Sequence, residues 1–206
     1  MCRFIETVRI VEGKVCNSFY HEARMNATLH HFHGAVPLLR LSAHLSGLDS
    51  MPKLVKWRFI YDRHGIYESS FAPYRIRTVR TLQTVCDDTV DYTYKSVDRT
   101  QLLRLKERQG NADEILIVKD GYITDTSYTN VAFWDGSRWI TPKTPLLRGT
   151  MRACLLDKGL LTEQDVRLAD LHRYSSVALF NAMIDLGQLV LPVSSILPPD
   201  TSTKYI

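Results

Sequence analysis

No two cysteines in this chain lie close enough in sequence to make a CxxC or zinc-ligand pair. Cys2, Cys16, Cys86 and Cys154 are widely scattered, so they read as the buried thiols of a protein in a reducing compartment rather than as redox or metal-binding elements, and no metal is expected. No apolar run approaches the ~18 residues that a membrane helix requires, so no membrane partner is expected either. The opening MCRFIETVRIVEG carries Arg3 and Glu6 and lacks an apolar core. It is not expected to be a signal peptide, and the chain reads as cytoplasmic. Basic runs and aromatic–basic interleaving are also missing, because lysines and arginines are spread from Arg3 to Lys204. Nucleic acid is therefore not an expected partner. A net charge of +4 suits a small anionic molecule instead. There are no repeats and no low-complexity tracts.

What is present is an ordinary globular composition: 206 residues, 45% hydrophobic and 23% charged. That is enough chain for one large domain or two small ones with a core that needs no staples. RFIETVRIV over 3–11 reads as a strand, with a turn at Glu12-Gly13-Lys14 and a second strand through Phe19. Residues 21–32 read as a helix ending before Gly34, and 35–48 as a further short helix. Residues 57–74 read as two strands around Arg63-His64-Gly65, and 75–86 as one more strand. Asp98 is placed to cap a helix with Leu102, Leu103 and Leu105 on its apolar side. EILIVKDGYITD and NVAFWDGSRWITP read as hairpins turning at Asp120-Gly121 and Asp135-Gly136. A helix follows over MRACLLDKG, closed by Gly159, and then two apolar strand-like segments within 177–193. The whole is α/β (α+β).

Several stretches carry candidate chemistry. In DYTYKSVDR, 91–99, period two puts Asp91, Thr93 and Lys95 on one strand face and Tyr92 and Tyr94 on the other. Lys95 at the strand end is either a solvated charge or a pocket lysine able to form a Schiff base. HHFHG, 30–34, lacks a carboxylate at ligand spacing and reads as a polar helix end. In GYITDTSYTN, Asp125 ends an apolar strand among small hydrogen-bonding residues. It either caps a turn or presents a carboxylate to a cationic heterocyclic nitrogen. In TPLLRGTMR, Gly149 and Thr150 open a helix whose free N–H groups suit an anion. FNAM, 180–183, offers Asn181 and small Ala182 at a strand end. Arg75, Arg77 and Arg80 are either a solvated face or guanidinium groups for a dicarboxylate.

Taken in order, these elements resemble the class IV aminotransferase family, the fold-type IV pyridoxal-phosphate enzymes. The family includes branched-chain and D-amino-acid aminotransferases and 4-amino-4-deoxychorismate lyase. FIETVRIVEG followed by HEARM, YTYKSVDR, DGYITDTSYTN, TPKTPLLRGTMR and FNAM each match a family motif, from end to end of the chain. The resemblance implies that Lys95 is the Schiff-base lysine and that Arg24 binds the cofactor phosphate. It implies that Asp125, where the family has glutamate, pairs with the ring nitrogen, in a motif that ends on Asn130. Gly149, Thr150 and Met151, with Asn181 and Ala182, complete the phosphate site. Ile and Thr are usual where Thr150 and Met151 stand.

The cofactor implied is pyridoxal 5'-phosphate. The implied architecture is two α/β domains, about 1–88 and 89–206, with a D-amino-acid aminotransferase-like fold, the cofactor in the cleft between them, and a homodimeric assembly. The substrate would be a small anionic amine. Asn-Ala-Met at 181–183 is similar to the Asn-Ala-Leu of the lyases and unlike the Gly-Thr-Ala of branched-chain aminotransferases, which favours the lyase. Aminotransfer is the alternative, and a non-catalytic cofactor-binding homologue a second one. Arg75 and Arg77 are the residues offered to a dicarboxylate substrate.

Overall fold

The computed structural model describes residues 2–44 and 52–199. Two compact units emerge, one of Met1–Ile76 with Tyr94–Asp98, the other of Arg77–Thr93 with Arg99–Ile206.

The first unit is built on β1 (Phe4–Val11), whose alternate residues Phe4, Glu6, Val8 and Ile10 are buried. Period-two burial of this kind is what a one-sided antiparallel sheet requires. Glu12 and Gly13, at φ 48° and 73°, turn the chain into β2 (Lys14–Val15). The expected second strand through Phe19 stops there, because Asn17 at φ 54° redirects the backbone into α1 (Ser18–His33). Buried His21, Met25, Thr28 and Leu29 lie at helical spacing on one side of α1. Gly34 (φ 69°) ends it, its N–H returning to the His30 carbonyl. β3 (Leu54–Asp62) runs antiparallel to β1 from Phe4↔Tyr61 to Val11↔Leu54 without a break. β4 (Gly65–Pro73) follows the Arg63-His64 turn, where Asp62 accepts the His64 N–H at 2.8 Å. The sheet order is β2-β1-β3-β4. Met25, Leu29 and Leu41 pack with Val8, Ile10, Trp57, Phe59 and Tyr61 in its core. Of the expected short helix within 35–48, Leu41–His44 form a 3-10 turn, 35–40 are not helical, and 45–48 fall outside the described residues.

In the second unit β5 spans only Leu82–Cys86, not 75–86. The preceding residues are irregular because the N–H groups of Arg80 and Thr81 donate to the Asp113 carboxylate, at 2.8 and 3.2 Å. Next comes α2 (Thr100–Glu107), which starts after Arg99, a residue that makes no side-chain cap of its own. Then come β6 (Glu114–Lys119), β7 (Tyr122–Thr126), β8 (Asn130–Trp134) and β9 (Trp139–Pro142). Asp120 and Gly121, at φ 53° and 78°, form the β6–β7 turn. α3 (Thr150–Asp157), β10 (Thr162–Gln164), β11 (Ser176–Phe180), β12 (Val190–Pro192) and β13 (Ile196–Leu197) complete the unit. The strands run β10-β9-β8-β7-β6-β5-β13, and β8 also carries β11, which carries β12. β5 pairs parallel with β6, so residues 82–86 belong to this sheet, whereas 94–98 belong to the first unit. The division thus differs from a single break near residue 88. No described helix is long and apolar enough to cross a membrane.

Candidate active site

Lys95 is not at a strand end. In DYTYKSVDR only Thr93 and Tyr94 form a turn, Lys95 follows it at φ 23°, and Ser96 bridges to Phe4; that φ lies in a backbone region that costs a non-glycine residue roughly 1–2 kcal/mol. The period-two pattern fails because the two tyrosines go to different cores. Tyr92 packs with Val85, Val90 and Leu102 in the second unit. Tyr94 joins the first unit's core, stacked on His31 at 4.6 Å and edge-on to Phe32 at 4.9 Å. The HHFH run therefore clamps the residue before the lysine. On the other side the chain is stitched to β1: the Ile5 N–H donates to the Lys95 carbonyl at 3.0 Å, and the Val97 N–H to Arg3 at 3.1 Å.

The same strand carries Glu6, a fully buried carboxylate. It accepts hydrogen bonds from Arg24 Nε (2.8 Å) and Nη2 (2.7 Å), and its Oε2 is 2.8 Å from His21 Nδ1. Burial pushes Glu6 up, but the Arg24 charge and the bonds from His21 and Arg24 win, bringing it down to about 2. Burial, helped by the Arg24 and Lys95 charges, lowers His21 against the opposing pull of Glu6. Sequence reading singled out Arg24 and missed Glu6 and His21. The available signal was an acid in the inward row of β1, between Phe4 and Val8.

In the second unit the ends of β7, β8 and β11 converge, since Asn130 pairs with both Asp125 and Phe180. Asp125 is buried. One of its oxygens accepts the Asn130 amide and the other the Leu147 N–H, each at 2.8 Å. Asn130 also donates to the Leu147 carbonyl at 2.8 Å. Desolvation raises the Asp125 carboxyl to about 7 against the pull of Leu147, Asn130 and Arg152. Arg152, itself buried, donates to the Pro142 carbonyl and to Glu163, at 2.7 and 2.6 Å.

Gly149 precedes α3 at φ −66° and ψ 148°, a conformation open to any residue. The constraint there is space, because a Cβ would lie 2.0 Å from Asn130 Oδ1. Gly149→Ala must displace an amide that two hydrogen bonds hold in place. It is expected to lower the urea-unfolding free energy by roughly 1–3 kcal/mol, and an unchanged midpoint would refute the close approach.

Thr150 and Met151 are buried at the start of α3. The Met151 side chain packs among Ala132, Leu155, Leu161 and Phe180, which leaves only its backbone for polar work. Asn181 closes a turn: its Oδ1 accepts the N–H groups of Met183 and Ile184, at 2.8 and 3.1 Å, and its amide donates to the Tyr128 carbonyl at 3.2 Å. The structure thus spends this side chain on local geometry, and Ala182 is the small residue inside that turn. Arg75 is exposed. Arg77, half exposed, pairs with buried Glu114, which also binds Lys106 at 2.9 Å, and its guanidinium lies 4.9 Å from the Tyr128 ring centre. The two arginines do not share a strand face, since 74–81 is irregular. No group of three or more metal-ligating side chains occurs among the described residues.

α3 thus starts, without an acidic side chain in its first turn and without a side-chain cap from Gly149, next to the Asn130 amide that binds buried Asp125. The class IV amino-transferase profile matches residues 66–196. An uncharacterised protein of Haemophilus influenzae is 32% identical over 190 residues, covering 89% of this chain and 98% of the relative. A Haemophilus somnus structure named a "putative 4-amino-4-deoxychorismate lyase" superposes with a TM-score of 0.85 at 32% identity, covering 90% of this chain and 98% of that one. A hypothetical aminotransferase of Mycobacterium tuberculosis, solved with pyridoxal phosphate bound, shares the fold at TM-score 0.73 and 19% identity, covering 98% of this chain and 84% of that one. The chain belongs to the class IV aminotransferase family.

Proposed function

We propose that this protein is a pyridoxal 5'-phosphate enzyme that converts 4-amino-4-deoxychorismate to 4-aminobenzoate and pyruvate, a step of folate synthesis. The observation that carries the cofactor reading is Asp125, a buried carboxyl, hydrogen-bonded at both oxygens, that desolvation raises to about 7 against the pull of Leu147, Asn130 and Arg152. A protonated ring nitrogen beside it would favour its ionised form. The N–H groups at the start of α3, from Thr150 and Met151, point the positive end of the helix dipole at a phosphate, with Gly149 giving close approach. Arg24 adds charge-assisted donors, and the Ala182 N–H lies in the turn closed by Asn181.

When bound, the cofactor supplies an electron sink that weakens a C–H bond beside the substrate nitrogen. Asp125 keeps the ring nitrogen protonated, and Asn130 and the Leu147 amide keep Asp125 in place. The Lys95 amine, in its neutral form, takes the proton from the carbon that bears the substrate nitrogen. The bond between the ring carbon and the ether oxygen would then break, the enolpyruvate so released would take up a proton to become pyruvate, and the ring would become aromatic.

The Asn181-Ala182-Met183 turn and the similarity to the Haemophilus somnus protein over most of both chains favour the lyase. One observation favours the second reading, an aminotransferase for a small amino acid: Arg77 is tied to Glu114 and is not freely offered to a dicarboxylate. A cytoplasmic homodimer acting on a small anionic amine fits both readings. The test is a product assay on cofactor-loaded protein given 4-amino-4-deoxychorismate. Equimolar 4-aminobenzoate and pyruvate are expected. Their absence, together with keto-acid formation from amino acids, would replace the lyase by the aminotransferase.

A further inference from the structure

We propose that Glu6 is a positioning residue that holds the Arg24 guanidinium for the phosphate of the ligand, an inference that rests on the cofactor reading above. Packing alone does not call for an acid at this position. Its inward neighbours on β1 are Phe4, Val8 and Ile10, and an apolar side chain in that row would avoid the several kcal/mol that burying a carboxylate costs.

The geometry shows where that cost is recovered. Nε and Nη2 of Arg24 meet the two carboxylate oxygens separately, at 2.8 and 2.7 Å. Such a two-point contact fixes the guanidinium plane as well as its distance. His21, three residues before Arg24 on the same side of α1, occupies Oε2 at 2.8 Å. Glu6 is thereby held from the helix at both oxygens and cannot swing away from the arginine. The next residue back along β1 binds the Lys95 turn, through the Ile5 N–H and the Lys95 carbonyl. Adjacent residues of one strand therefore place the lysine and the phosphate-binding arginine.

The proposal has a sign that separates it from simple charge counting. A carboxylate beside Arg24 cancels part of its charge, so on electrostatics alone Glu6→Gln would tighten phosphate binding. If Glu6 acts by orientation, the same change weakens it. The measurement is the dissociation constant of pyridoxal phosphate and of pyridoxal, which lacks the phosphate, for the wild type and Glu6→Gln. Competition by inorganic phosphate serves as a readout independent of turnover.

We expect the phosphate-bearing ligand to bind about tenfold or more weakly in the variant, while pyridoxal binds within about threefold of the wild type. Equal or tighter binding of pyridoxal phosphate would overturn the proposal in favour of charge, and equal loss for both ligands would overturn it in favour of packing. Should Glu6→Gln fold poorly, Glu6→Asp keeps the charge, shortens the reach and carries the same expectation at smaller size. In an Arg24→Lys background, which has no planar fork to orient, Glu6→Gln should add no further phosphate-specific loss, and a full second loss there also overturns the proposal. A wild type that shows no preference for pyridoxal phosphate over pyridoxal would instead bring down the cofactor reading itself.

Discussion

Lys95→Ala should abolish turnover, with a loss of roughly 10⁴-fold or more, while the protein unfolds at nearly the wild-type denaturant concentration. The reason for this split lies in what holds the segment. Its neighbours are anchored by side chains and amides other than the lysine amine: Tyr94 on His31 and Phe32, and the backbone on β1 through Ile5 and Val97. Alanine inherits the strained backbone at φ 23° and loses the amine with the three methylenes that carry it, none of which anchors the backbone contacts above. Two measurements check this. Product formation at saturating cofactor reads the chemistry, and borohydride reduction followed by peptide mass spectrometry reads whether cofactor becomes attached to the 92–99 segment in the wild type and not in the variant. Activity within tenfold of the wild type would remove Lys95 from the reaction and favour a non-catalytic binding role.

Asp125→Asn should weaken catalysis by about 100-fold or more and yet make the cofactor-free protein relatively more stable at alkaline pH. The folded carboxyl is raised from 3.8 to about 7, so between those values the native state holds a proton that the unfolded state has released. Stability from this group therefore falls as pH rises from about 4 to about 7 and levels off above that. At 1.36 kcal/mol per pKa unit, the penalty of ionising it amounts to roughly 4 kcal/mol. Asparagine has no such penalty, but its single oxygen can accept from only one of Leu147 and Asn130. The variant should be the less stable protein near pH 4 and gain on the wild type by a few kcal/mol towards pH 8. Urea unfolding of both proteins across that range decides it, and parallel pH profiles would show that burial does not control this carboxyl. Bound cofactor brings a counter-charge and should stabilise the wild type more than the variant at pH 8.

The elements that sequence placed well are those encoded within a few residues. The hairpins at 57–74, 114–126 and 130–142 follow from strand alternation or apolar runs interrupted by Gly- and Asp-bearing turns. α1 follows from helix formers ended by Gly34. The motif order that marked Lys95, Arg24 and Asp125 was legible because each motif is itself a local string. Contacts between distant residues were not legible. Arg24 meets Glu6 across 18 positions, Arg77 meets Glu114 across 37, and Asn181 meets Tyr128 across 53. The first sets an ordinary-looking strand acid against the arginine expected for phosphate, the second pairs an arginine expected for substrate with a buried carboxylate, and the third ties an asparagine expected for phosphate to a backbone carbonyl.

The 91–99 stretch shows why local pattern fails where it does. Alternating aromatic and polar residues predict a strand, yet Tyr92 and Tyr94 are drawn to different hydrophobic cores, and burial of two aromatic side chains outweighs the small cost of one positive φ. What the sequence by itself determined is the set of chemical groups, their order along the chain and the family to which they belong. Tertiary structure alone decided which groups are buried, which charges are paired and which carboxyl is desolvated more than its partners repay. Desolvation and paired charge depend on neighbours brought from far along the chain, and they hold Glu6 near 2 and raise Asp125 near 7 although the two carboxyls have nearly the same chemistry in water.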